Sequence, residues 1–185
     1  MNNNLKIVTF VAGLLSALVA VFYLVSGIIE LTHLGDAIAY SILNAILLFA
    51  VAAGLCYSGY VIVKGFLNKE DRYKVLTFIM LVIFCGQFIS SLLSLILGDI
   101  TSGWGWAFTV LALIGLILVL VSIFVKLDDK NRNVATLCAA AWGFVFTIVI
   151  LTRVGGLSIA TYIFVLLLFI TILAYTVVKL VENSK

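Results

Sequence analysis

Six long apolar runs, with the cations gathered into every second gap between them, leave this chain very few ways to fold. Each run holds about the 20 residues that a helix needs to cross a hydrocarbon core of roughly 30 Å. They predict helices over 6–30, 37–63, 75–97, 104–125, 134–152 and 157–178. Of the 11 lysines and arginines, all but Arg153 precede the first run, follow the last, or lie in the second and fourth gaps. Those gaps carry Lys64, Lys69, Arg72 and Lys74, then Lys126, Lys130 and Arg132. Loops rich in Lys and Arg stay on the cytoplasmic side during insertion, so both termini are expected inside. The predicted fold is all-α, a polytopic membrane protein forming a six-transmembrane-helix bundle.

Composition agrees. The chain is 65% apolar and 10% charged, whereas a soluble domain is about half apolar and a quarter charged. Nearly all 185 residues are used by spans and short connectors, so residues 1–185 read as a single integral membrane domain. The setting expected is a multi-pass protein of the cell (plasma) membrane with the lipid bilayer as its first partner. The net charge of +3 reflects topology and headgroup contact. Nucleic-acid binding would require a dense basic stripe, and the sequence has none. Met1 to Lys6 resembles the start of a secretion signal, but the apolar stretch Ile7–Ile29 is too long for a signal core. It lacks a small-x-small site at its end, so an uncleaved first span is expected.

Short matches recur with the hairpins. Lys6-Ile-Val-Thr9, Lys74-Val-Leu-Thr77 and Asn133-Val-Ala-Thr136 open the odd-numbered runs. Val63-Lys64, Val125-Lys126 and Val178-Lys179 close the even ones, and Leu34-Gly-Asp36, Leu97-Gly-Asp99 and Val154-Gly-Gly156 mark the turns. Three tandem two-helix repeats of equal orientation, over 5–66, 73–128 and 133–181, are one explanation. Convergence of apolar sequence under a single topology rule is the other.

The middle of every run lacks Asp, Glu, Lys, Arg and His. A proton pump, a voltage sensor or an intramembrane metalloenzyme needs such groups at depth. No Ser/His/Asp or Cys/His set can be assembled either, because His33 is the one histidine. Cys56, Cys85 and Cys138 lie inside apolar runs without zinc or disulfide spacing and read as small packing residues. No enzymatic activity, cofactor or metal is expected.

The deep polar groups are the informative ones. Gln87, Ser90, Ser91 and Ser94 share one face of the third helix, and Asn44 is the second amide at depth, on a face with Tyr40, Gly54 and Ser58. They form either an interhelical packing seam or the polar wall of a cavity, and a direct Asn44–Gln87 bridge is one way to satisfy both amides. Trp142, near mid-span, is either packing bulk or an aromatic wall of that cavity. Gly13-x-x-x-Ala17 and Ala139-x-x-x-Gly143 are small-residue strips that either close the bundle or dock another subunit. Trp104 and Trp106 suit the aromatic belt. Glu30, His33, Asp36 and Asp99 form a candidate outer-rim cluster with Arg153, the cation that departs from the positive-inside trend.

Two functions fit. One is a non-catalytic accessory or structural subunit acting through helix packing and mixed-charge cytoplasmic loops, alongside a membrane-protein partner or as a homo-oligomer. The other is a solute-binding or transport protein with an outward-facing polar cavity for a small-molecule ligand. In size, span number and inside termini the chain resembles, in gross architecture, the substrate-binding subunits of energy-coupling-factor vitamin transporters. That resemblance implies docking of the small residues of the first helix to a transport partner.

Overall fold

The computed structural model describes residues 3–32, 38–67, 73–97 and 103–182. They form six helices: α1 (Asn3–Thr32), α2 (Ile38–Leu67), α3 (Tyr73–Leu97), α4 (Gly103–Phe124), α5 (Asp129–Leu151) and α6 (Leu157–Glu182). All six are long and apolar enough to cross a membrane. The helices outrun the apolar runs at several ends. α1 continues to Thr32, α2 passes Lys64, and α5 begins at Asp129 within the charged stretch. Hydropathy marks where lipid ends, whereas backbone hydrogen bonding carries a helix on into water. At α5 the acid at the first turn favours the positive end of the helix dipole. Arg132 then braces that turn through Asp129 and the Leu127 carbonyl, at 3.2 and 2.9 Å.

Each helix packs against its neighbours in sequence, and α6 returns to α1, so the bundle is a closed ring. α3 also reaches α1 and α5 across the interior. Lipid tails are as apolar as Leu, so helices associate here through close packing and interhelical hydrogen bonds rather than through release from water. The tightest contact is α1 with α2. A Cβ on Gly59 would stand 2.8 Å from the Gly13 carbonyl oxygen and 3.3 Å from the Ala17 Cβ. Within the same contact the Ser16 hydroxyl donates to the Leu55 carbonyl at 2.8 Å.

The Gly13–Ala17 strip therefore serves the ring itself, which leaves it facing α2 and not an outside partner. The Ala139–Gly143 strip does the same job against α6, where the Phe169 ring occupies the space a Gly143 side chain would need. Phe169 in turn meets Phe84, and Phe84 meets Phe146, with ring centroids 5.7 and 6.2 Å apart. This aromatic cluster plugs the middle of the ring. Outside, exposed residues such as Val21, Ile46, Ile117 and Val145 present an apolar surface suited to lipid.

Candidate functional site

Two polar clusters bind the end of the ring opposite the termini. In the first, Asn44 on α2 is buried and uses both sides of its amide. Its Nδ2 donates to Glu30 Oε1 on α1 at 3.2 Å, and its Oδ1 accepts from the Ser90 hydroxyl on α3 at 2.8 Å. In the second, Gln87 Nε2 donates to the Tyr23 hydroxyl on α1 at 2.9 Å, and Gln87 Oε1 accepts from the Tyr162 hydroxyl on α6 at 3.1 Å. Each amide would cost several kcal/mol if left unmatched in hydrocarbon. Each is matched, but to tyrosine, serine and glutamate rather than to the other amide. Four helices are joined in this way.

Glu30, the last residue of the expected first helix, enters this cluster because α1 is helical through it and on to Thr32. It sits in the final turn of the helix, half-buried. Its companions in the proposed rim cluster, His33, Asp36 and Asp99, lie outside the described residues. Arg153 turns elsewhere. Its guanidinium carbon lies 4.0 Å from the centre of the Trp104 ring, a cation–π stack between the α5–α6 turn and the start of α4. That turn is well built. The backbone N–H groups of Arg153 and Val154 both donate to the Ile150 carbonyl at 2.8 and 3.1 Å. Gly156 then takes a φ of +60° to reverse the chain into α6, a conformation that glycine adopts without penalty.

Between these groups lies a cavity of ≈280 Å³, just below the roughly 300–1,000 Å³ usual for small-molecule sites. Helix α3 lines it with Gln87, Ser90, Ser91 and Ser94, and Tyr40 and Tyr162 add phenol groups. Helices α4 and α5 contribute Phe108, Phe146 and Ile150. Arg153 and Trp104, both exposed, stand at the mouth. From Gln87 to Ser94 the α3 wall rises about 10 Å at the helical repeat. Phe146 at the inner end belongs to the aromatic plug, so the cavity has a packed floor.

The serine face thus has two uses along one helix. Ser90 and Gln87 fasten α3 to α1, α2 and α6, and the same residues with Ser91 and Ser94 form the polar wall. The Ser91 hydroxyl turns back to the Gln87 carbonyl of its own helix. Trp142 does not line the cavity. Its indole N–H donates to the Leu111 carbonyl of α4 at 2.9 Å, which makes it an α4–α5 fastener. Helix two's Ser58 likewise bonds its own helix, at the Gly54 carbonyl.

Sequence reasoning passed over Tyr23, Tyr162, Phe108 and Phe146. The two tyrosines carried a usable signal. A tyrosine away from the membrane interface must find a partner for its hydroxyl, and a lone deep glutamine is the natural one. The phenylalanines carried none, since nothing separates a cavity-lining Phe from a core Phe by sequence. Among the described residues no group of three or more His, Cys, Asp or Glu could hold a metal ion. Comparison with protein-family models, curated proteins and solved structures yields no match for the chain, so the geometry alone carries the functional reading.

Proposed function

We propose that this protein is a non-catalytic, small-solute-binding membrane protein, its cavity open at the end of the bundle opposite the termini. The observation that carries the reading is the α3 wall. Gln87 and Ser90 are already held by Tyr23, Tyr162 and Asn44, so the surface they present is fixed before any ligand arrives. Pre-formed walls of this kind are what small-molecule sites generally have. The positive-inside pattern supports a mouth on the outer face of the cell membrane and both termini in the cytoplasm.

A second reading, an accessory subunit without a ligand, is favoured by the same hydrogen bonds, because both deep amides are satisfied by neighbouring helices. The two readings part at Ser94. In a chain with Cys56, Cys85 and Cys138 replaced by Ala, Ser94→Cys should react with a membrane-impermeant thiol reagent applied to the outer face of intact cells, and not in inverted vesicles. A Ser94→Cys protein that is folded yet silent from both sides would mean a closed core and leave the accessory role.

Descent from three hairpins also belongs to this reading. In the register set by Thr9 and Thr136, the buried positions 9, 12, 13, 16, 19, 20 and 23 of α1 correspond to 136, 139, 140, 143, 146, 147 and 150 of α5. Helix α3 shares the buried positions Thr77, Met80 and Phe84 but departs at half-buried Leu81 and also buries Leu76, Ile79, Ile83 and Gly86, so the correspondence is carried by α1 and α5.

A further inference from the structure

We infer that the cavity takes a small organic anion, a carboxylate or similar oxyanion on a flat apolar body, with Arg153 holding the anionic group. The inference rests on the solute-binding reading above and narrows it. Arg153 is the only Lys or Arg of the sequence outside the cytoplasmic gaps and tails. An outer cation works against the insertion rule, so its presence calls for a use at that place. It lies at the mouth of the cavity, and its carbon centre is stacked 4.0 Å from the Trp104 ring. Stacking occupies the guanidinium face and leaves the N–H edge, whose fork matches two oxygens of a carboxylate. Glu30, the acid nearest this end among the described residues, already accepts from Asn44. Beneath Arg153 the walls divide by chemistry: Phe108, Phe146 and Ile150 on α4 and α5, hydroxyls on α2, α3 and α6. A flat apolar body with its charge at one end matches both walls and the rim, and the ≈280 Å³ volume suits a body of one or two rings. A phospholipid headgroup would present the same oxyanion to Arg153, but it has no apolar body to set against Phe108, Phe146 and Ile150; the source proposed is a solute from outside.

The electrostatic part can be read without knowing the natural ligand. The cysteine-free protein carrying Ser94→Cys is placed in phosphatidylcholine nanodiscs and reacted with two methanethiosulfonates, one bearing a sulfonate and one a trimethylammonium group. Rates are normalised to those with free cysteine. The sulfonate reagent should be favoured about tenfold, the scale expected for one fixed charge across a few ångströms of partly desolvated space. Arg153→Gln should abolish the preference or turn it toward the cation, since Glu30 is then the charge left at this end among the described residues. Arg153→Lys should keep most of the preference, which separates charge from shape. Added 2-naphthoate should slow labelling, whereas neutral 2-naphthamide should not. Equal normalised rates for the two reagents, or equal protection by naphthoate and naphthamide, would overturn the anion assignment while leaving solute binding intact. No protection by naphthoate would overturn the flat-body assignment. A preference lost on adding phosphatidylglycerol, by more than the shift the same lipid causes in the Arg153→Gln protein, would assign Arg153 to lipid. No reaction with either reagent would instead remove the solute-binding reading itself.

Discussion

At the scale of single residues, the buried amides show how little a polar contact contributes when made and how much its loss can cost. Interhelical hydrogen bonds in membranes average about 0.6 kcal/mol, because the alternative state also finds partners. Stranding one member is worse. Asn44→Leu removes the donor to Glu30 and the acceptor of Ser90 together. A loss of about 1–3 kcal/mol is expected in detergent unfolding. Glu30→Gln should then cost less in the Asn44→Leu background than in the native chain, and additive costs would show that the Asn44–Glu30 contact carries no coupling. Asn133 is the opposite case. It is buried and its Nδ2 has no hydrogen-bond partner among the described residues. Asn133→Leu relieves that orphan at similar volume and should raise stability by about 1 kcal/mol, seen as a higher unfolding midpoint. The residues at depth that matter were mostly legible, because Asn44, Gln87 and the serines are polar groups in apolar surroundings. Their partners were not, since pairing is decided by which helices stand side by side.

At the scale of helices, small residues set how closely axes approach. Gly59 faces backbone: a Cβ there would meet the Gly13 carbonyl, which cannot rotate away. Gly59→Val should therefore separate α1 from α2 and lower stability by about 1–3 kcal/mol or more. Gly155→Ala, with nothing within 4 Å of its Cβ, should leave the unfolding midpoint unchanged. A Gly59→Val protein as stable as the native one would mean that the α1–α2 contact is looser than these distances. The spans themselves were readable from hydropathy to within a few residues. Their polar extensions were not, because Lys64 and Asp129 continue helices beyond the apolar stretch. Glu30 was placed in a helix by sequence but its partner was not, since only the packing of α1 on α2 brings its carboxylate to Asn44. The small-residue strips could be found in sequence, yet nothing in them distinguishes an inward contact from an outward one.

At the scale of the whole molecule, the alternation of charge and the even number of spans predict that a fluorescent protein fused after Lys185 will fold in the cytoplasm. An alkaline phosphatase fused after Arg153 should be active outside, and the reverse pattern would invert the mouth of the cavity. Ring closure was the feature least accessible from sequence, because no pattern in α6 names α1 as its neighbour. It also has a consequence for how the chain could be rewired. The first turn of α1 and the last turn of α6 lie at the same end of adjacent helices. A circular permutant, with a flexible linker joining Lys185 to Met1 and new ends cut between α2 and α3, would keep every helix–helix neighbour and every span's direction. The order in which the spans leave the ribosome would change while the ring they close would not.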